Sequence, residues 1–125
     1  MYFSRTSEGH DERTNGMEIV WLPSADEAFF KLLKDVESLF GALVTEQVSE
    51  RIYSHIDLLG SFPGIGVRDF FFSNAVVRYL VNTPNIIYYT IVFDKVVIVA
   101  ILNSRQSPEN IHRVIANILK SNNLL

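Results

Sequence analysis

The sequence predicts an α+β fold: a strand, an antiparallel helical hairpin, a three-strand antiparallel meander and a C-terminal helix. Three observations carry this expectation. Apolar residues recur at helical spacing through two consecutive stretches, 25–40 and 44–59, separated by Gly41. Three runs rich in β-branched and aromatic residues follow, at 76–81, 86–93 and 96–102, with turn-forming residues between them. A Ser-Pro-Glu triplet at 107–109 then opens a last amphipathic stripe.

In chain order, residues 1–16 are polar, contain two glycines and show neither a helical nor a strand period. They read as a flexible N-terminal extension ahead of a single domain at 17–125. Residues 17–21 are short and rich in β-formers, and Pro23 ends them. Ser24 with Glu27 has the spacing of a capping box, in which the hydroxyl accepts from a first-turn amide and the glutamate reaches back. The first helix carries its stripe at 25, 28, 29, 32, 33, 36, 39 and 40, and Gly41 supplies a C-cap. The second helix runs its stripe through Val44, Val48, Ile52, Ile56 and Leu59 to Gly60. So short a link between them folds the pair into a helical hairpin.

Ser61-Phe-Pro-Gly-Ile-Gly66 is a loop by its proline and glycine content. Residues 67–75, with Phe70-Phe71-Phe72, read either as a helical turn or as an extended segment over the core. Beyond them Asn82-Thr-Pro-Asn85 turns the first meander strand into the second, and Asp94-Lys95 reads as the two-residue turn before the third. That third strand is apolar on both faces, so both must be covered. The hairpin covers one face. The other falls to the last helix, with its stripe Ile111, Val114, Ile115, Ile118 and Leu119, or to a partner.

Composition narrows the function classes. At 125 residues, 48% apolar and 20% charged, the chain is built to bury a core. It has no cysteine, which removes disulfides, thiolate metal sites and cysteine nucleophiles. The longest apolar run is too short to span a bilayer and the N-terminus lacks a signal-peptide pattern, so a cytoplasmic protein is expected. No motif calls for a cofactor. His10, His55 and His112 lack the spacing of a metal site, and Pro63-Gly-Ile-Gly66 is not a phosphate loop. The net charge of −3 argues against a general nucleic-acid binder. It is unevenly spread, with 5 Lys and Arg against 11 Asp and Glu in residues 1–67, and 6 against 3 in 68–125. An anionic partner would meet the sheet half.

Several runs carry a family resemblance. They are Ile19-Val-Trp-Leu-Pro-Ser-Ala-Asp26, Pro63-Gly-Ile-Gly66, Val77-Arg-Tyr79, Thr83-Pro-Asn-Ile-Ile-Tyr-Tyr-Thr-Ile91 and Val97-Ile-Val-Ala-Ile-Leu-Asn-Ser-Arg-Gln106. In this order they resemble the RelE/ParE superfamily, the toxins of type II toxin–antitoxin modules. RelE-like members cleave mRNA on the ribosome with lysines on the first meander strand, an arginine opening the second, an arginine closing the third and a C-terminal tyrosine. Here the lysine positions hold Val77 and Tyr79, the first arginine position Ile86, and the tyrosine position Ile111, beside His112. Only Arg105 is kept, one cation where phosphate chemistry needs several.

The resemblance is therefore closer to the ParE-like branch, which inhibits DNA gyrase and has no known hydrolytic chemistry. It implies a toxin acting by binding, neutralised by a cognate antitoxin in a hetero-oligomer. The residues it points to for target or antitoxin binding are Arg78, Tyr88, Tyr89, Arg105 and Gln106. Asn103-Ser-Arg departs from the histidine many relatives carry before that arginine. Two alternatives stand beside this reading. One is an mRNA interferase with Arg78, Arg105 and His112 as its catalytic set. The other is an inactive antitoxin-binding relative. For Arg78 the bland role is an ion pair with a neighbouring acid such as Asp69, and for His112 a surface position. Tyr88 and Tyr89 should point to opposite sheet faces, one of them into the core.

Overall fold

The computed structural model describes residues 16–125, so the expected N-terminal extension lies almost wholly outside the described residues. The elements are β1 (Glu18–Trp21), α1 (Pro23–Phe40), α2 (Ala42–Asp57), a 3₁₀ turn (Leu58–Gly60), β2 (Val67–Arg68), β3 (Val77–Asn82), β4 (Asn85–Val92), β5 (Lys95–Asn103) and α3 (Pro108–Ser121). The α+β class, the hairpin, the β3–β4–β5 meander and the C-terminal helix all stand as expected.

The sheet has five strands in the order β1-β5-β4-β3-β2. β1 joins β5 in parallel, with Val20 opposite Val97, and every other pairing is antiparallel. The extra strand, β2, comes from the stretch whose sequence left its conformation open. Two residues are enough to extend the sheet beyond β3, with Val67 opposite Tyr79 and Arg68 opposite Arg78.

Three local expectations are corrected. Ser24 does not cap α1. Leu22 holds that position in an extended conformation, Pro23 takes the first helical position, and the Ser24 hydroxyl donates instead to the Val99 carbonyl at 2.8 Å. That carbonyl belongs to a bulge. Tyr88 pairs with Ala100 and Tyr89 with Ile98, leaving Val99 without a partner on β4. Second, the β4–β5 turn is Phe93-Asp94, not Asp94-Lys95. Val92 and Lys95 close the hairpin, and Phe93 takes the strained φ of 56° at its exposed tip. Lys95 is a strand residue opposite Glu18 of β1, and its ammonium lies 3.4 Å from the Glu18 carboxylate. Third, Leu39 and Phe40, in the expected buried stripe of α1, are exposed at the hairpin tip together with Leu43.

Both sheet faces are covered. On one, α1 and α2 pack Phe29, Leu33, Ile52 and Ile56 against Ile19, Leu80, Ile87, Tyr89 and Ile98. Trp21, Phe29 and Tyr53 form an aromatic cluster there, with ring centroids 4.9–5.6 Å apart. On the other face α3 lays Ile111, Ile115 and Leu119 over Val77, Tyr88, Val99 and Ala100. The bulge lets two successive residues of β5, Val99 and Ala100, join the α3 side. Ser107 caps α3 as expected, accepting from the Asn110 amide.

Candidate functional site

The richest cluster of polar groups lies between the sheet and α3. Tyr88 on β4 faces that side, and its hydroxyl donates to Asp69 Oδ2 at 2.7 Å. His112, in the first turns of α3, places Nε2 3.0 Å from the same oxygen, while the Phe71 amide donates to Asp69 Oδ1 at 3.1 Å. Burial pushes the Asp69 carboxyl up, but the bonds from Tyr88, Phe71 and His112, with the imidazole's charge, outweigh it and hold the group below its ordinary value. The Tyr88 hydroxyl is pushed far up, first by burial and then by its bond to the Asp69 carboxylate. Since the carboxylate only accepts, His112 Nε2 carries a proton, and in the neutral ring Nδ1 is the acceptor. Phe71 stacks on the imidazole at a 4.0 Å centroid distance, and Phe72 meets its edge.

Beside this cluster opens a cavity of about 370 Å³ whose lining includes Arg68, Tyr79, Ile86, Gln106 and Ile111 as well as His112. Tyr79, Ile86 and Ile111 are three of the four positions at which the RelE-like pattern would carry a lysine, an arginine or a tyrosine. The fourth, Val77, is wholly buried. Gln106 accepts from the Asn110 amide group, and Arg105 is exposed on the β5–α3 loop, where its amide donates to Asn103 Oδ1.

Arg78 and Tyr89 belong to the opposite face. The Tyr89 hydroxyl donates to the Pro63 carbonyl at 2.7 Å and accepts from the Gly66 amide at 2.9 Å. Burial raises its pKa against the pull of that amide and of Arg78. Arg78 Nη1 donates to the carbonyls of Gly64 and Gly66, not to Asp69. Strand alternation accounts for this, because Tyr79 packs with the α3 side and Leu80 with the hairpin side, so Arg78 falls with Leu80. Tyr88 and Tyr89 do point to opposite faces, but both are buried, Tyr89 under the helical hairpin and Tyr88 under α3. The trio Arg78, Arg105 and His112 is not assembled, since Arg78 and His112 lie on different faces.

Sequence reasoning missed Asp69 as a centre. One signal for it was present: Asp69 is one of only three acids in residues 68–125, and it precedes an aromatic triplet. Asp69→Asn should lower stability at pH 7 by roughly 1–3 kcal/mol, the range for disturbing a buried charge-assisted network. The native value of this carboxyl is depressed, so its contribution is complete above the ordinary value of 3.8. It is lost as pH falls through the lower native value. Denaturation midpoints of wild type and variant should therefore differ at pH 7 and converge in acid.

Among the described residues, no group of His, Cys, Asp or Glu is placed to hold a metal ion, and no helix is long and apolar enough to cross a membrane. None of the curated proteins searched matches the chain. The family described as ParE toxin of type II toxin–antitoxin system, parDE, matches residues 19–108, from β1 through the meander to the first residue of α3. With its sheet, hairpin and C-terminal helix arranged as that kinship implies, the chain belongs to the ParE toxin family.

Proposed function

We propose that residues 17–125 act as one cytoplasmic toxin domain that works by binding its target, DNA gyrase, and is neutralised by a cognate antitoxin. One observation supports binding over catalysis above the rest. The cavity under α3 presents Tyr79, Ile86 and Ile111 where an RNA-cleaving relative would place cationic and acid–base groups, which leaves Arg68 as the single arginine or lysine in its lining. In-line cleavage of RNA needs cations to neutralise the phosphate, and Arg78 faces away on loop carbonyls. Expression without antitoxin should arrest growth and induce DNA-damage signalling, and the purified protein should inhibit supercoiling by gyrase at micromolar concentration. Growth arrest with supercoiling untouched would remove gyrase as the target.

The second reading, an mRNA interferase, draws on the Asp69–His112 pair, which has the form of an oriented general base at a cavity. Codon-phased mRNA cuts after induction, abolished by His112→Ala, would replace the leading proposal. Harmless expression with antitoxin binding retained would instead identify an inactive relative.

A further inference from the structure

The cavity under α3 contains one charged group that neither gyrase binding nor RNA cleavage accounts for. Arg68, on β2, lines it, whereas Arg78, its partner in register on β3, is engaged by the Gly64 and Gly66 carbonyls on the other face. Among the described residues no carboxylate lies within ion-pair distance of Arg68, and its Nε is buried with no hydrogen-bond partner. A guanidinium nitrogen taken from water and left unbonded is costly, and an anionic oxygen is the partner that best offsets the cost. The guanidinium does meet the Phe70 ring, with its central carbon 4.9 Å from the ring centre. Phe70 is largely exposed, and a cation–π contact at such a site is weak. Little therefore opposes a turn of the guanidinium toward an anion in the cavity.

The rest of the lining selects which anion. Asp69 belongs to the same cavity, and its carboxylate is already engaged by Tyr88, His112 and the Phe71 amide. Its charge opposes any negative charge beyond the one that Arg68 neutralises. A phosphate monoester carries about −1.5 to −2 at pH 7 and calls for a second permanent cation, which the lining lacks. A carboxylate carries one charge, and its two oxygens match the forked N–H donors of a single guanidinium. Tyr79, Ile86 and Ile111 supply aromatic and apolar walls, and Tyr79 and Ile86 are only partly covered by the protein itself. Such walls suit a flat ring. The space of about 370 Å³ is in the range of small-molecule sites.

We propose that the cavity under α3 binds a small aromatic carboxylate, whose carboxylate is taken by Arg68 and whose ring lies against Tyr79, Ile86 and Ile111. The site does not depend on what the toxin targets, and it stands or falls on ligand binding alone.

The test titrates benzoate, indole-3-acetate and naphthalene-2-acetate into the full chain, with binding followed by amide chemical shifts. At least one of the three should bind at millimolar concentration or below, with shifts centred on Arg68, Tyr79, Ile86 and Ile111. The uncharged amide of that same acid has the same shape and should bind at least about tenfold more weakly, the difference made by one charge-assisted pair. Adenosine monophosphate, which offers a flat ring with a phosphate, should also bind more weakly than the best carboxylate. Arg68→Gln should weaken carboxylate binding at least about tenfold. Lys120→Gln removes the same charge from the last turn of α3, outside the cavity lining, and should leave binding unchanged. The proposal is overturned by no binding of any of the three acids, by equal binding of acid and amide, or by adenosine monophosphate binding as tightly as the best acid. It is equally overturned if Lys120→Gln loses as much binding as Arg68→Gln. Should Arg68→Gln fail to fold, the acid and amide comparison on the wild type decides it. Supercoiling by gyrase is assayed separately on the same preparation, so failure of the toxin reading and failure of the ligand site are told apart.

Discussion

Ile115→Ala should lower the stability of this protein by about 2–5 kcal/mol, the range for truncating a fully buried aliphatic side chain. Ile115 is entirely shielded from solvent at the middle of the α3 stripe, between Ile111 and Leu119. The lost side chain leaves a void in the cluster that α3 shares with Val77 and Tyr88, which the sheet side cannot refill because those two residues are fixed by strand pairing. The consequence extends beyond stability. His112 lies one turn earlier on the same helix, and its position over Asp69 depends on α3 being seated. Chemical denaturation should show a lower midpoint. An unchanged slope against denaturant means that α3 and the sheet still unfold together, and a reduced slope means that α3 has already detached in the native state. Ile115→Val, which keeps most of the volume, should cost only about 0.5–1.5 kcal/mol. If both substitutions were silent, α3 would not be the cover of this sheet face.

Much of this architecture was legible because the signals for it are local. The stripe of α3 and its Ser107 cap, the hairpin interrupted at Gly41, and the alternating runs of the meander each lie within a dozen or so residues. What was not legible depends on contacts between distant segments. Ser24 has the sequence context of a cap, yet its hydroxyl is drawn 75 residues along the chain to the carbonyl that the β5 bulge leaves open. Without knowing that Val99 is bulged, nothing in the sequence around Ser24 signals that competition. The β4–β5 turn lies one residue earlier than expected: Lys95 pairs with Val92 on one side and, in parallel, with Glu18 on the other, a neighbour no hairpin rule anticipates. The site shows the same division. Tyr88 and Tyr89 were assigned to opposite faces by alternation alone, whereas the Asp69–His112 contact joins residues 43 apart in sequence. Arg78 and His112 could be grouped in sequence reasoning only while the face of each was unknown.

Gly66→Ala is the second substitution with a large expected effect, and its cause is steric. A Cβ at Gly66 would lie 2.5 Å from the Tyr89 hydroxyl oxygen and 2.6 Å from its Cε1, closer than such atoms ordinarily approach. The ring cannot yield easily, because Tyr89 is fully buried and its hydroxyl is held from both sides, by the Pro63 carbonyl and by the Gly66 amide itself. Overpacking of this kind typically costs about 1–3 kcal/mol, and the two hydrogen bonds of the hydroxyl would be strained in addition. The loop that must move also carries the Gly64 and Gly66 carbonyls that hold Arg78. Gly66→Ala should therefore release Arg78, seen as a change in its side-chain resonances, together with the fall in denaturation midpoint. Tyr89→Leu removes the obstructing ring at its own cost. The double variant should then be at least about 1 kcal/mol more stable than the sum of the single effects predicts, the coupling expected of two groups competing for one space. Strict additivity would mean that the close approach of Gly66 to Tyr89 is not what requires glycine at this position. The loop would then be held by Arg78 and its two carbonyl bonds rather than by the buried tyrosine.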